Sequence, residues 1–189
     1  YQKSLFETCT KMMLSVLRLP QPVIAKVDGL ATAAGCQLVA TCDLAIAAET
    51  ASFATSGINV GLFCSTPGVA VGRALPRKQA MDLLLTGDFI NAERAAEIGL
   101  INKAVPEADL DRETEALARK LANKSAHALA LGKNAFYKQL EMGVTDAYAF
   151  AGAEMARNMM DRDAAEGIDA FIEKRTPEWD QGPRDGEES

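Results

Sequence analysis

Apolar positions along the chain follow two rhythms. Over residues 1–17, Leu5, Cys9, Met12, Met13, Val16 and Leu17 recur at helical spacing, and Pro20 and Pro22 end the pattern. Residues 23–27 then form a short apolar run that reads as a strand, and residues 44–47 form a second. Between them lie a turn at Asp28-Gly29, a run of small residues from Ala31 to Gly35 and a short helix-like segment. Strand, helix and strand in that order predict a parallel sheet and an α/β core. Residues 51–67 are rich in Ser, Thr and Gly and read as a long irregular loop, a type of segment that more often carries function than not. Short helices are expected after Pro67-Gly68, over 77–85 and over 91–98, the last capped by Gly99, with a final strand over 100–105.

From residue 107 the rhythm is helical throughout. Leu110, Leu117 and Leu121 share one face, as do Leu129, Phe136 and Leu140 in the next segment. Tyr148, Met155 and Met159 line a third helix, and Ile168, Phe171 and Ile172 a fourth. The expected organisation is therefore an α/β core over 1–106, a helical region over 107–180 and a polar, acidic tail over 181–189. The helical region would pack on the core or on a neighbouring subunit.

Composition narrows the function classes. With 48% hydrophobic and 24% charged residues the chain can bury a core, which argues against disorder. A net charge of −6 offers no basic footprint for nucleic acid. No run reaches the roughly 18 uninterrupted apolar residues of a membrane span. Cys9, Cys36, Cys42 and Cys64 lack metal-ligand spacing and read as reduced thiols of an intracellular protein. Tyr1 opens inside a helical pattern, so an upstream part of the core, with any targeting segment, is expected to precede it.

The chemistry concentrates at the small-residue turn. A strand that feeds small side chains into a helix start lets bare backbone N–H groups approach a ligand, with the helix dipole behind them. An oxyanion hole can be built this way from backbone alone. The run from Gln21 to Asp43, with Asp28-Gly29-Leu-Ala-Thr-Ala-Ala-Gly-Cys-Gln37 at its centre, resembles the central signature of the crotonase (enoyl-CoA hydratase/isomerase) superfamily. Three further segments match the same pattern: 53–68, with its Gly57, Gly61 and Pro67-Gly68; 85–105, with the helix–Gly–strand passage around Gly99; and 166–175. The resemblance covers most of residues 20–175 in the family's order. Ala-Ala-Gly-Cys-Gln-Leu and Gly-Leu-Phe-Cys-Ser-Thr-Pro-Gly are most similar to the enoyl-CoA hydratase domain-containing subgroup, which lacks the catalytic glutamates.

The resemblance implies a crotonase-like fold, incomplete at its N-terminal side. It makes the Ala34 N–H the second oxyanion donor, with the first upstream of Tyr1, and sets Ala31, Ala33 and Gly35 against the substrate. The alternative reading of this run is tight helix–sheet packing. Gln37 and Gly57 fall where a family hydratase has its two glutamates. A carboxamide can position water but not take its proton near neutral pH, and glycine has no side chain. Gln37 also reads as a polar helix residue beside a pocket. Ser65 matches a position where isomerase-type members carry an aspartate; it and its neighbours Cys64 and Thr66 line the pocket or form a plain turn. Phe171 and Lys174 resemble the residues that meet the CoA adenine and phosphates across a subunit interface; otherwise they are a core aromatic and a solvated lysine. Asp43 reads as a satisfier of backbone N–H groups and His127, the single histidine, as a surface residue.

The implied function is an acyl-CoA thioester enzyme that uses an oxyanion hole and is not a standard hydratase. Isomerisation, decarboxylation and thioester cleavage all fit. The alternative is a non-catalytic acyl-CoA-binding protein; a Clp-type serine protease is a more distant class, lacking a plausible Ser–His pair. Coenzyme A would enter as part of the substrate, with no permanently bound cofactor and no metal. The expected assembly is a homotrimer or dimer of trimers, in bacterial cytoplasm or mitochondrial matrix.

Overall fold

The computed structural model describes residues 1–182. They divide into two compact units: residues 1–19 with 23–118, and residues 20–22 with those from 119 onward. The division falls inside a helix, at 118/119. The last seven residues of the expected tail, 183–189, lie outside the described residues.

The first unit opens with α1 (Gln2–Arg18), whose helical stripe buries Met13. Strand β1 (Ile24–Val27) follows, and β2 (Leu30–Thr32) leads into α2 (Ala34–Thr41). Then come β3 (Leu44–Ala48) and β4 (Ser52–Ala54), followed by a 3-10 turn, Ser56–Val60. Helices α3 (Ser65–Ala74) and α4 (Arg77–Thr86) come next, then β5 (Ile90–Asn91), α5 (Ala92–Glu97) and β6 (Lys103–Val105). Helix α6 (Leu110–Ala122) starts in this unit.

Strands β1, β3 and β6 form one parallel sheet in that order, as the strand–helix–strand pattern predicts. Successive β3 side chains leave on opposite faces. Ala45 and Ala47 enter the main core with Phe53, Val71 and Leu83, whereas Ile46 and Ala48 join Val105 and Leu110 on the other side. Both faces are covered, as parallel sheets require.

A second small sheet, β2-β4-β5, departs from the expectation of a plain turn and irregular loop. Strand β2 runs parallel to β4, with Ala31 opposite Phe53 and Thr32 opposite Ala54. Three residues such as Leu-Ala-Thr carry too little periodicity to signal a strand, so the ladder and not the local pattern makes this one. Helix α3 also begins at Ser65, earlier than the Pro67-Gly68 pair suggests. Pro67 stands in the first turn, where its missing N–H would have had no helical partner. Asp43 does satisfy backbone, its Oδ2 accepting from the Val23 N–H at 2.7 Å.

The second unit contains α7 (Ala126–Gln139), α8 (Val144–Met159) and α9 (Arg162–Glu173). Ser125 caps α7 and Asp161 caps α9, each through a side-chain oxygen accepting a first-turn N–H. Buried Asp163 accepts from the Ser125 hydroxyl at 2.5 Å and from the Asp180 N–H at 3.0 Å. After α9 the chain folds back on this unit. Arg175 grips both oxygens of Glu166 at 2.6 and 2.8 Å, and the Glu178 N–H reaches the same carboxylate at 2.7 Å. Trp179 donates its indole N–H to the Asn123 carbonyl at 2.8 Å. Gln181, the first residue of the expected tail, bonds the backbone of Lys124 and Ala126. His127 is no surface side chain: it is 14% exposed and lies 3.5 Å from Asp161.

Candidate functional site

The small-residue run turns sharply at Ala33, which takes φ 48° and ψ −113°. Positive φ in a residue with a Cβ is strained by roughly 1–3 kcal/mol and persists only where its surroundings impose it. Here the Ala33 N–H is fixed to the Ala54 carbonyl at 3.0 Å, and the Ala33 carbonyl accepts the Gln37 N–H at 3.0 Å. The chain thus leaves β2 and enters α2 within one residue. Ala34, Gly35 and Cys36 become the first helical residues, whose N–H groups lie outside the helical ladder, and no side chain caps them. Ala34 is the first of these residues and an exposed one, at the positive end of the helix.

The other candidate residues of the first unit stand on β2 and α2, in the 3-10 turn and at the start of α3. Ala31 is 4% exposed and belongs to the core, so its side chain supports the turn from below. Gln37 is buried on α2, its carboxamide oxygen facing the Cys9 thiol at 3.9 Å. Cys36 beside it is fully buried, and that burial pushes its thiol up to about 12, which leaves it a protonated, inert group at neutral pH.

Gly57 sits in the 3-10 turn, and the fold leaves no room there for a side chain. A Cβ on Gly57 would fall 2.6 Å from the Leu62 carbonyl oxygen and 2.8 Å from the Cys64 sulfur. The turn is anchored on one side by the Thr55 hydroxyl, which donates to the Leu83 carbonyl at 2.7 Å. On the other side the Asn59 amide donates to the Gly87 carbonyl at 3.2 Å. Gly87 itself has φ 66°, and a Cβ there would meet the Ile58 side chain at 2.6 Å.

Ser65 opens α3 in an exposed position, its hydroxyl directed at the Phe63 carbonyl at 3.4 Å. No base is bonded to it among the described residues, so it is not an activated nucleophile. Phe171 and Lys174 stand together at the end of α9 in the second unit. Phe171 is 84% exposed, which excludes the core reading, and Lys174 takes the left-handed C-cap conformation at φ 57°. Among the described residues no cluster of His, Cys, Asp and Glu could hold a metal ion, and no helix is long and apolar enough to cross a membrane.

Sequence reasoning did not single out Thr32 and Ser56, whose hydroxyls meet at 2.8 Å beside the turn. The available signal was a hydroxyl residue directly before Ala33 and another directly before Gly57.

Comparison with known proteins agrees with this architecture. The model of the enoyl-CoA hydratase/isomerase family matches residues 1–182. The human enoyl-CoA hydratase domain-containing protein 3, mitochondrial, is 52% identical over 183 residues, covering 97% of this chain and 60% of that protein. The zebrafish (Danio rerio) protein of the same name is 50% identical over 177 residues, covering 94% of this chain and 61% of its own length. The chain therefore spans about 60% of the length of these curated relatives. Among solved structures, an enoyl-CoA hydratase of Mycobacterium smegmatis superposes with a TM-score of 0.92 at 56% identity, covering 95% of this chain and 70% of that one. The human domain-containing protein 3 superposes with a TM-score of 0.91 at 53% identity, covering 95% and 71%. On fold and sequence alike, the chain belongs to the enoyl-CoA hydratase/isomerase family.

Proposed function

We propose that this protein binds acyl-CoA thioesters and stabilises the enolate of the acyl group through the Ala34 N–H, without acting as a hydratase. The observation that carries the reading is the strained turn at Ala33, which sets exposed Ala34 at a helix start that no side chain caps. An oxyanion donor of this kind strengthens its bond as charge develops on oxygen, and is worth about 3–4 kcal/mol of barrier. Hydration requires a proton delivered to one carbon and hydroxide to the next. Gln37 cannot exchange a proton at neutral pH, and Gly57 has neither a side chain nor room for one.

The reaction most consistent with this set is decarboxylation of a malonyl-type thioester. The bond from the carboxylate carbon to the α-carbon breaks, its electron pair moves through the α-carbon to the thioester oxygen, and CO2 departs. Water then protonates the α-carbon. No side-chain base is needed, because the leaving CO2 generates the enolate. Isomerisation would require a base to move the α-proton, and Ser65 has none bonded to it.

Phe171 and Lys174 would meet the adenine and phosphates of coenzyme A, in an assembly of three or six copies. The exposure of Phe171 and the cationic reach of Lys174 suit a nucleotide. All four cysteines are free, which fits a reducing compartment, and the human and zebrafish relatives are named as mitochondrial.

The test is a mass-spectrometric panel of acyl-CoAs incubated with the full-length protein. Conversion of malonyl-type thioesters to their decarboxylated products, with crotonyl-CoA left unhydrated, is the expected result. Binding of thioesters without turnover of any would favour a non-catalytic acyl-CoA-binding protein, for which the loss of both carboxylates is also the supporting observation.

A further inference from the structure

Thr32 Oγ1 and Ser56 Oγ lie 2.8 Å apart, joining the end of β2 to the start of the 3-10 turn. Two hydroxyls bring two protons, and the bond between them uses one. The second proton has no acceptor among the described residues, since neither hydroxyl has another partner. Both residues are half-buried, so the spare O–H can donate to a group bound beside them.

Its place in the fold is specific. Thr32 directly precedes Ala33 and is two residues from the Ala34 N–H; Ser56 directly precedes Gly57. Alternation along β2 puts Thr32 on the face of Leu30, which is exposed, and away from the core face of Ala31. Exposed Val60 ends the 3-10 turn that Ser56 opens, and exposed Leu62 and Phe63 follow in the next loop. The hydroxyl pair is thus a polar point between the oxyanion turn and an apolar loop. The surrounding segment has a further property: residues 27–72 contain no Lys, Arg or His.

We infer that the Thr32–Ser56 hydroxyl pair is the subsite for the carboxylate of a malonyl-type acyl-CoA, held by a neutral donor. This inference rests on the thioester reading above and names its substrate class. A charged acceptor gains most from a spare O–H, because charge-assisted bonds are roughly twice as strong as neutral ones. A neutral donor also suits the reaction. A lysine or arginine would stabilise the carboxylate before CO2 leaves and raise the barrier to its loss, since only interactions stronger in the transition state accelerate a step. A hydroxyl orients the group while leaving its charge largely uncompensated.

The test compares two ligands by calorimetry with the full-length protein. One is the sulfonate analogue of malonyl-CoA, which keeps the negative charge and cannot lose CO2; the other is butyryl-CoA. The wild-type protein is expected to prefer the sulfonate. The Thr32→Val/Ser56→Ala variant should lose about 10-fold or more in affinity for the sulfonate, the scale of a hydrogen bond to a charged group, and hold butyryl-CoA within about twofold. Thr32→Ser, which keeps both hydroxyls, should retain the preference. Circular dichroism and thermal melts establish that each variant is folded. A folded double variant with an unchanged preference would overturn the subsite while leaving thioester binding intact. Failure of the wild-type protein to bind either ligand would overturn the thioester reading and the subsite with it.

Discussion

Gly57 and Leu62 close on each other across the loop that follows β4. The Leu62 N–H donates to the Gly57 carbonyl at 3.0 Å, and the Leu62 carbonyl oxygen occupies the space a Gly57 Cβ would need. The lack of a side chain at this position is therefore built into the backbone path.

It follows that restoring the carboxylates will not restore hydration. Gly57→Glu forces its Cβ against a backbone oxygen, which cannot rotate away as a side chain can. The expected cost is about 1–3 kcal/mol of stability, seen as a lowered Tm. The Gln37→Glu/Gly57→Glu double variant should remain inactive toward crotonyl-CoA. Wild-type Tm together with hydratase turnover in that variant would contradict this description of the loop.

Ala33 offers a separate test of strain. Its φ of 48° belongs to glycine's range, so Ala33→Gly should relieve part of the roughly 1–3 kcal/mol cost. Greater unfolded-chain entropy returns about 0.4–1 kcal/mol, leaving a Tm equal to or above wild type. Ala33→Val, β-branched at the same angles, should lower Tm sharply. Melting curves of the two variants decide the matter, and equal losses in both would mean that the angle is unstrained.

Much of this was legible in the sequence. The α1 stripe and the four helices after residue 107 follow from periodicity, and the parallel β1–β3 pair follows from the strand–helix–strand order. The β2-β4-β5 sheet was not legible, because Leu30–Thr32 and Ser52–Ala54 are each three residues long and are defined by each other. The same cause hid the Thr32–Ser56 pair, which exists only once that ladder brings the two segments together. Residue types revealed that Gln37 and Gly57 lack carboxylates. The crowding at Gly57 depends on Leu62 and Cys64 folding back, which no local pattern encodes.

The fold-back after α9 carries a pH dependence. Arg175 and the Glu178 N–H hold the Glu166 carboxyl down from its ordinary value near 4.5 to about 2. A depressed carboxylate contributes stability above its unfolded value and loses it as pH falls toward its folded one. The segment should therefore stay docked at neutral pH and release between about pH 4.5 and 2. Trp179, the single tryptophan, reports the event through its fluorescence. Glu166→Gln should weaken or remove the acid transition in this signal; an acid titration unchanged by that variant would remove Glu166 from the account.

Helices α7, α8 and α9 leave Phe136, Tyr148, Met155, Met159, Phe171 and Ile172 exposed. Apolar exposure on this scale in an acidic chain is expected at subunit contacts. Sedimentation of the full-length protein should give a trimer or hexamer. A stable monomer at micromolar concentration would count against both the assembly and a CoA site shared between subunits.

The central claim rests on one backbone N–H, and Ala34→Pro removes it. Ala34 is the first residue of α2, where proline's missing N–H breaks no helical bond. A proline also favours extended backbone at the preceding Ala33, so the fold of the variant is measured first. Ala34→Gly, which keeps the donor, serves as the control. With folding and assembly verified for both, the measurement is turnover of the best thioester found in the acyl-CoA panel. A loss of about 10²–10³ in Ala34→Pro, with Ala34→Gly close to wild type, is the predicted result. Undiminished turnover by a folded Ala34→Pro protein would contradict it.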